Sequence, residues 1–261
     1  MTIKSKTRAG LFSALTALAT LLPAAVQAAD RGPVVVELFT SQGCYSCPPA
    51  EAFLGELSQR TDVVALEFHV DYWDDLVYGF AGKWKDPFSD AAHTQRQYAY
   101  NRAIKRKNSV YTPQMVIDGR VDAVGSRREQ VQRAITRSRV VGDRLDVRVD
   151  VAADRSLKIS IDGKAEGAPD AQGAQGAAVW LVELVPSVTT QVRSGENKGK
   201  TLISHNIVTG VSQIGEWRGR ATRFSVTPGT LAKGRGCAII VQTAHPGPIL
   251  GAANCPPAAG S

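Results

Sequence analysis

Phe39-Thr40-Ser41-Gln42-Gly43-Cys44-Tyr45-Ser46-Cys47-Pro48-Pro49 is the stretch on which the fold turns. Upstream, the apolar run from Val34 to Phe39 predicts a short buried strand. Thr40 to Gly43 reads as a turn. Downstream, proline is tolerated in the first turn of a helix, and Pro48 and Pro49 stand at such a start. Ala50, Phe53, Leu54 and Leu57 then recur at helical spacing and give one apolar face. A strand, a tight turn and a helix therefore follow one another, with two cysteines at the helix start.

The pattern continues outward. Val63–Val70 predicts a second strand, and an aromatic, irregular insertion runs from Asp71 to Phe88. Ser89 is the expected cap of a helix reaching about Arg106. Met115–Ile117 predicts a third strand, Asp118-Gly119 a hairpin turn and Val121–Val124 the returning strand. Ser126-Arg127-Arg128-Glu129 has the spacing of a capping box before a helix carrying Val131, Ala134 and Ile135.

Two residues between cysteines at a helix start place the sulfurs within bridging distance. Free N–H groups and the helix dipole there stabilise a thiolate at Cys44, which can attack a partner disulfide. Cys47, one turn in and expected to be the more buried, resolves the mixed disulfide. A purely structural bridge is the competing reading, although so small a loop stabilises little. Glu37 and Glu67 are acids within strands, expected to be exposed at a strand edge, with proton transfer to the pair as the alternative.

After about Val140 the texture changes. Leu145, Val147, Val149 and Val151 alternate with charged residues, as do Leu157, Ile159 and Ile161. Val179–Leu184, Val188–Val192, Arg223–Val226 and Ala238–Thr243 are further strand candidates, and Gly163–Gly176 reads as a loop. About seven or eight strands predict an all-β, sandwich-like unit over 142–261. Cys237 and Cys255 form a second pair, read as a structural disulfide stapling the last segment and contributing roughly 3 kcal/mol.

The N-terminus has the form of a secretory leader. Lys4, Lys6 and Arg8 precede an apolar stretch of about 12 residues, too short to span a bilayer, and Val26-Gln27-Ala28 suits cleavage after Ala28. The expectation is a signal peptide at 1–28 and a secreted, periplasmic protein. The charge of +7 falls to 28 − 24 = +4 without the three leader cations, too mild to suggest nucleic acid. Four cysteines in the mature part suit an oxidising compartment.

The quoted stretch, together with His69-Val70-Asp71-Tyr72-Trp73-Asp74 and Tyr111-Thr112-Pro113-Gln114, resembles a secreted bacterial domain-of-unknown-function family with a thioredoxin-like fold. The order of elements is similar to that of thioredoxins, with a helical insertion before the third strand. The resemblance implies an α/β thioredoxin-like domain with a mixed sheet over 29–141, followed by the β unit. It implies parallel first and second strands, bringing His69, Asp71 and Trp73 to the rim beside Cys44. It also implies a cis Thr112–Pro113 bond at the same edge, forming a substrate face with Tyr45 and Ser46.

Two functional classes follow. The first is an exported thiol–disulfide oxidoreductase acting on protein thiols or disulfides without a cofactor. The second is a binding protein: a copper carrier using Cys44, Cys47 and His69, or a non-catalytic interaction module. Gly195-Glu196-Asn197-Lys198-Gly199-Lys200-Thr201 superficially suggests a phosphate loop, but its glycines are too close and it reads as a polar hairpin loop. His93, His205 and His245 show no ligand spacing.

Overall fold

A computed structural model of the protein describes residues 1–2, 32–76, 82–141, 144–154, 156–163, 176–227, 234–243 and 246–256. The predicted leader lies outside these residues apart from Met1 and Thr2, as does most of the Gly163–Gly176 loop.

The architecture is mixed α/β, with one large mixed sheet and few helices. At its centre, β1 (Val34–Thr40) and β2 (Val63–His69) pair in parallel, and every residue of both is buried. Strands buried on both faces read as continuous apolar runs, which is the pattern of Val34-Val35-Val36 and Val63-Val64-Ala65. Beyond β1 lie β3 (Gln114–Ile117) and β4 (Val121–Val124), both antiparallel to their neighbours. Asp118 and Gly119 turn between them with φ of 48° and 63°, as a tight hairpin requires.

Helix α1 (Pro48–Ser58) connects β1 to β2, and α3 (Arg128–Val140) follows β4. Both cover one face, where Leu38, Leu54, Val131 and Ile135 share a core. Helix α2 (Ala91–Tyr100) runs into a π-helical turn, Asn101–Lys105. Its cap is Asp90, whose carboxylate accepts from the Ala92 N–H, and not Ser89, whose hydroxyl instead donates to Asp74. The expected capping box also fails to form: Arg127 is the N-cap of α3 and makes no side-chain cap bond.

The second half departs most from expectation. It does not fold as a sandwich apart from the first half. β7 (Ala177–Gln191), β8 (Thr201–Trp217), β10 (Gly236–Gln242) and β11 (Ile249–Asn254) extend the first sheet, giving the order β11-β10-β7-β8-β2-β1-β3-β4. A separate three-stranded sheet of β5 (Asp146–Val151), β6 (Leu157–Asp162) and β9 (Thr222–Val226) packs against it. The reason is two-sided burial in β7 and β10. Val182, Leu184, Ala238 and Ile240 enter a core with Phe39, Phe68 and Tyr100, while Val179, Leu181, Ile239 and Val241 meet Val147, Ile159 and Ile161. β5 and β6 alternate because one face alone is covered.

β7 and β8 form a long hairpin, and β8 packs against α1. The β2–β8 pairing is the single Glu67–Ile207 bridge. Further out, the His205 ring packs on Gly55 so closely that a Cβ there would lie 2.6 Å from it. Gly55→Ala is therefore expected to destabilise the chain by roughly 1–3 kcal/mol through overpacking. A urea midpoint unchanged by the substitution would show that the hairpin does not press on α1.

Candidate active site

The backbone around the first cysteine pair is held by its own turns. Cys44 N–H donates to the Ser41 carbonyl at 3.0 Å and Cys47 N–H to the Cys44 carbonyl at 3.2 Å. Cys47 is the N-cap of α1, with proline in the first positions behind it. Cys44 and Cys47 are bridged, with Cα atoms 5.4 Å apart. Contrary to the expected asymmetry, both cysteines are fully buried. Between them, Tyr45 and Ser46 face outward, Tyr45 with 65% of its surface exposed. Ser46 Oγ lies 3.4 Å from Cys44 Sγ and must be the donor, since a bridged sulfur carries no hydrogen.

The backbone of the Cys44 loop is bound by the tip of the β7–β8 hairpin, the segment whose sequence reads as a polar loop. Asn197 is fully buried and donates from Nδ2 to the carbonyls of Gln42 and Cys44, at 2.9 Å each. Glu196 accepts from the Tyr45 N–H at 2.9 Å. Lys200 donates to Asn197 Oδ1 at 2.9 Å and stands 4.1 Å from the centroid of the Tyr45 ring. Gln42 reaches Thr190 Oγ1 of β7 at 3.0 Å.

Trp73 joins the cysteine loop to the start of β3. Its Cβ stands 3.4 Å from the position a Cβ on Gly43 would take, and its indole N–H donates to Thr112 Oγ1 at 2.7 Å. The Thr112–Pro113 bond is cis. Asp71 accepts from the Thr94 hydroxyl at 2.6 Å and is half-buried. His69 is not a rim residue; its ring is fully enclosed.

Glu37 and Glu67 are likewise fully buried, not exposed at a strand edge. Glu37 binds Arg96 Nε at 2.8 Å and accepts the Tyr100 hydroxyl. Glu67 belongs to a buried polar chain beside the cysteine loop. Its Oε1 lies 2.9 Å from His69 Nε2 and its Oε2 accepts from His205 N–H at 2.8 Å. His69 Nδ1 lies 2.7 Å from Asp86, which also accepts from Gln42 N–H at 2.8 Å. Glu51, in the first turn of α1, accepts from Thr40 Oγ1 at 2.7 Å.

Electrostatics divides the roles. Burial favours a neutral His69, but Asp86 and Glu67 outweigh it and keep the imidazole protonated well above its usual range. Burial likewise opposes charge on Asp86, yet His69 and the Gln42 and Phe88 amides hold its pKa low. Glu51 is pushed up to about 8 by burial and by the charge of Glu67. It is a neutral acid at physiological pH, packed on the first turn behind Cys47. The sequence gives little sign of Glu51 or Asp86, since a charged residue in a first helical turn or a loop is ordinarily solvated.

The Glu51 pKa has a measurable effect. Between about pH 4.5 and 8 the folded chain holds a proton that the unfolded chain has released. The stabilisation is complete below the unfolded value and is lost as pH rises through the folded one, at up to about 1.4 kcal/mol per pH unit. His69, also raised, adds to the loss only above about 6.5. Burial holds His93 below its usual range, and that histidine adds stability as pH rises towards 6.5, so the Glu51 contribution is read as a difference: between about pH 5 and 6.5 the urea midpoint of Glu51→Gln should fall less, or rise more, than that of wild type. An equal slope in the variant would contradict the assignment.

Copper ligation by Cys44, Cys47 and His69 does not fit this geometry, because both His69 nitrogens are engaged by carboxylates. Among the described residues no group of three or more His, Cys, Asp or Glu side chains is arranged to hold a metal. No described helix is long and apolar enough to cross a membrane. The second pair, Cys237 and Cys255, is bridged as well, and Cys255 N–H donates to the Cys237 carbonyl at 2.8 Å.

A family model described as "Protein of unknown function (DUF1223)" matches residues 35–242. The chain is similar to the crystal structure of protein AGR_C_4864 from Agrobacterium tumefaciens, with 33% identity and a TM-score of 0.70 over 85% of this chain and 93% of that one. It also shares a fold with HBP35 of Porphyromonas gingivalis, with a TM-score of 0.54 and 13% identity over 88% of this chain and 78% of that one. No curated protein matches.

Proposed function

The chain belongs to the DUF1223 family, whose description assigns no activity, so its chemistry has to be read from its own residues, and we propose an exported thiol–disulfide oxidoreductase. The observation that carries the reading is the Cys44–Cys47 bridge at the start of α1, flanked by the neutral acid Glu51. Residues 29–141 are read as a thioredoxin-like unit. Parallel β1 and β2 and antiparallel β3 support that assignment. Export rests on the leader pattern of 1–28 and on two closed bridges, which persist in oxidising compartments.

In the oxidised form, a partner thiolate attacks Cys44 Sγ. The Sγ–Sγ bond breaks, and Cys47 leaves as a thiolate and takes up a proton. The second partner thiol then attacks its own sulfur in the mixed disulfide and releases the Cys44 thiolate. Two electrons pass from partner to protein, and the partner acquires a disulfide. The reverse sequence reduces a partner disulfide. Cys44 is the nucleophile, Cys47 the resolving thiol, Glu51 the adjacent proton store, and Tyr45, Ser46, Thr112 and Pro113 the substrate face.

Catalytic amounts of the full mature chain should accelerate disulfide formation in a reduced model protein, with glutathione disulfide as terminal oxidant. Many substrate disulfides per molecule of protein are expected. A yield of one per molecule, or none, would leave the pair a stoichiometric or structural bridge and favour a non-catalytic interaction module.

A further inference from the structure

The β7–β8 tip reaches the cysteine loop from well over a hundred residues away, and its contacts fall on groups that govern access to the sulfurs. We infer that Asn197 is a positioning residue of the Cys44–Cys47 disulfide: it locks the loop and sets how fast Cys44 reacts. The inference rests on the thiol–disulfide reading and gives the second half of the chain a part in it.

The Asn197 amide is fully used. Its two N–H hydrogens go to the carbonyls on either side of Gly43, those of Gln42 and Cys44, while its oxygen accepts from Lys200. A primary amide meets this demand for two donations and one acceptance; a carboxylate has no hydrogen to give. Gly195 and Gly199, with φ of 75° and 85°, turn the chain around it, and Gly195 packs against Trp84 of the insertion. Glu196 and Lys200 hold the peptide and ring of Tyr45. Gly43 is pressed from the other side by Trp73. The loop is thus clamped from both sides, and Cys44 has no exposed surface. With no surface exposed, Cys44 meets a thiolate only when its loop moves, and that movement breaks the Asn197 bonds to the Gln42 and Cys44 carbonyls.

The test compares oxidised wild type, Asn197→Ala, Asn197→Asp and Glu196→Ala in excess glutathione, with alkylation quenching and peptide mass analysis of each cysteine. One glutathione thiolate attacks Cys44 Sγ and frees the Cys47 thiolate. A second attacks the glutathione sulfur of the mixed disulfide, giving glutathione disulfide and two protein thiols. Cys237–Cys255 serves as the internal reference, since general loosening of the fold accelerates both bridges.

Asn197→Ala and Asn197→Asp should speed reduction of Cys44–Cys47 by about tenfold or more, the scale of two buried hydrogen bonds, and leave the Cys237–Cys255 rate unchanged. Glu196→Ala, which removes one contact at a half-buried position, should give a smaller acceleration of the same pair and guards against failure of the Asn197 variants to fold. Rates within twofold of wild type for all variants, or equal acceleration of both bridges, would overturn the inference. Should wild type show no turnover while Asn197→Ala still frees Cys44–Cys47 selectively, the oxidoreductase reading fails and the positioning role stands.

Discussion

Cys44→Ser should abolish turnover on a protein disulfide, lowering the rate on the order of a thousandfold or more, because a serine hydroxyl neither ionises at neutral pH nor exchanges with a disulfide. Cys47→Ser should behave differently. It keeps the nucleophile and removes the thiol that resolves the mixed disulfide, so a covalent adduct with substrate accumulates and disappears on adding reductant. Replacing both Cys237 and Cys255 by Ser removes a bridge far from this chemistry and should leave turnover within about twofold where the chain remains folded. Progress curves with non-reducing mass analysis read all three. Undiminished turnover in Cys44→Ser would remove the assigned nucleophile.

The second large effect concerns stability. Arg96 of α2 is buried between the rings of Phe68 and Tyr100, at 5.6 and 5.0 Å from their centroids. Its charge is balanced by Glu37 of β1, and its Nη2 reaches Gln242 of β10 at 3.2 Å. One nitrogen, Nη1, has no hydrogen-bond partner among the described residues. Glu37→Leu strands the guanidinium in an apolar core and should cost about 3–5 kcal/mol, whereas the double change Glu37→Leu with Arg96→Met should recover much of it. Because Arg96 contacts strands from both halves, the chain should unfold in one transition by urea, with the midpoint falling as a unit. A loss under about 1 kcal/mol in the single variant would mean that the pair is effectively solvated.

The first half was legible because each element has one strong local signal: the Val-Val-Val run of β1, the helical spacing of Ala50 to Leu57, the Asp118-Gly119 turn. The second half was misread because such signals depend on which faces are covered. β7 and β10 are apolar on both faces and give no alternation to follow. β8 has no continuous alternation to read: Leu202 and Ser204 point inward, then Asn206, with φ of 49°, breaks the phase so that Ile207 and Val208 are both buried. A two-residue period cannot find a strand that slips half-way along.

The site was legible in its covalent part and not in its surroundings. Cys44, Cys47, Thr112, Pro113 and Trp73 stand in motifs that can be read directly. His69 lies in one too, yet its role changes from rim to buried ion, because what matters is its contact with Asp86 and Glu67. Asn197 and Glu51 carry no local mark at all. Asn197 occupies a run of polar residues typical of a solvated turn, and its function arises from the length of the β7–β8 hairpin and its passage over Gly55.

The reduction potential of Cys44–Cys47 tests the proposed chemistry most directly. Glutathione redox buffers, thiol trapping and mass analysis would report it beside Cys237–Cys255 in the same sample. The oxidoreductase reading predicts a value in the range of known catalysts, roughly −120 to −270 mV, with Cys237–Cys255 well below it. A value under about −300 mV for Cys44–Cys47, at or below that of the second bridge, would make the pair a structural staple and contradict the proposed activity.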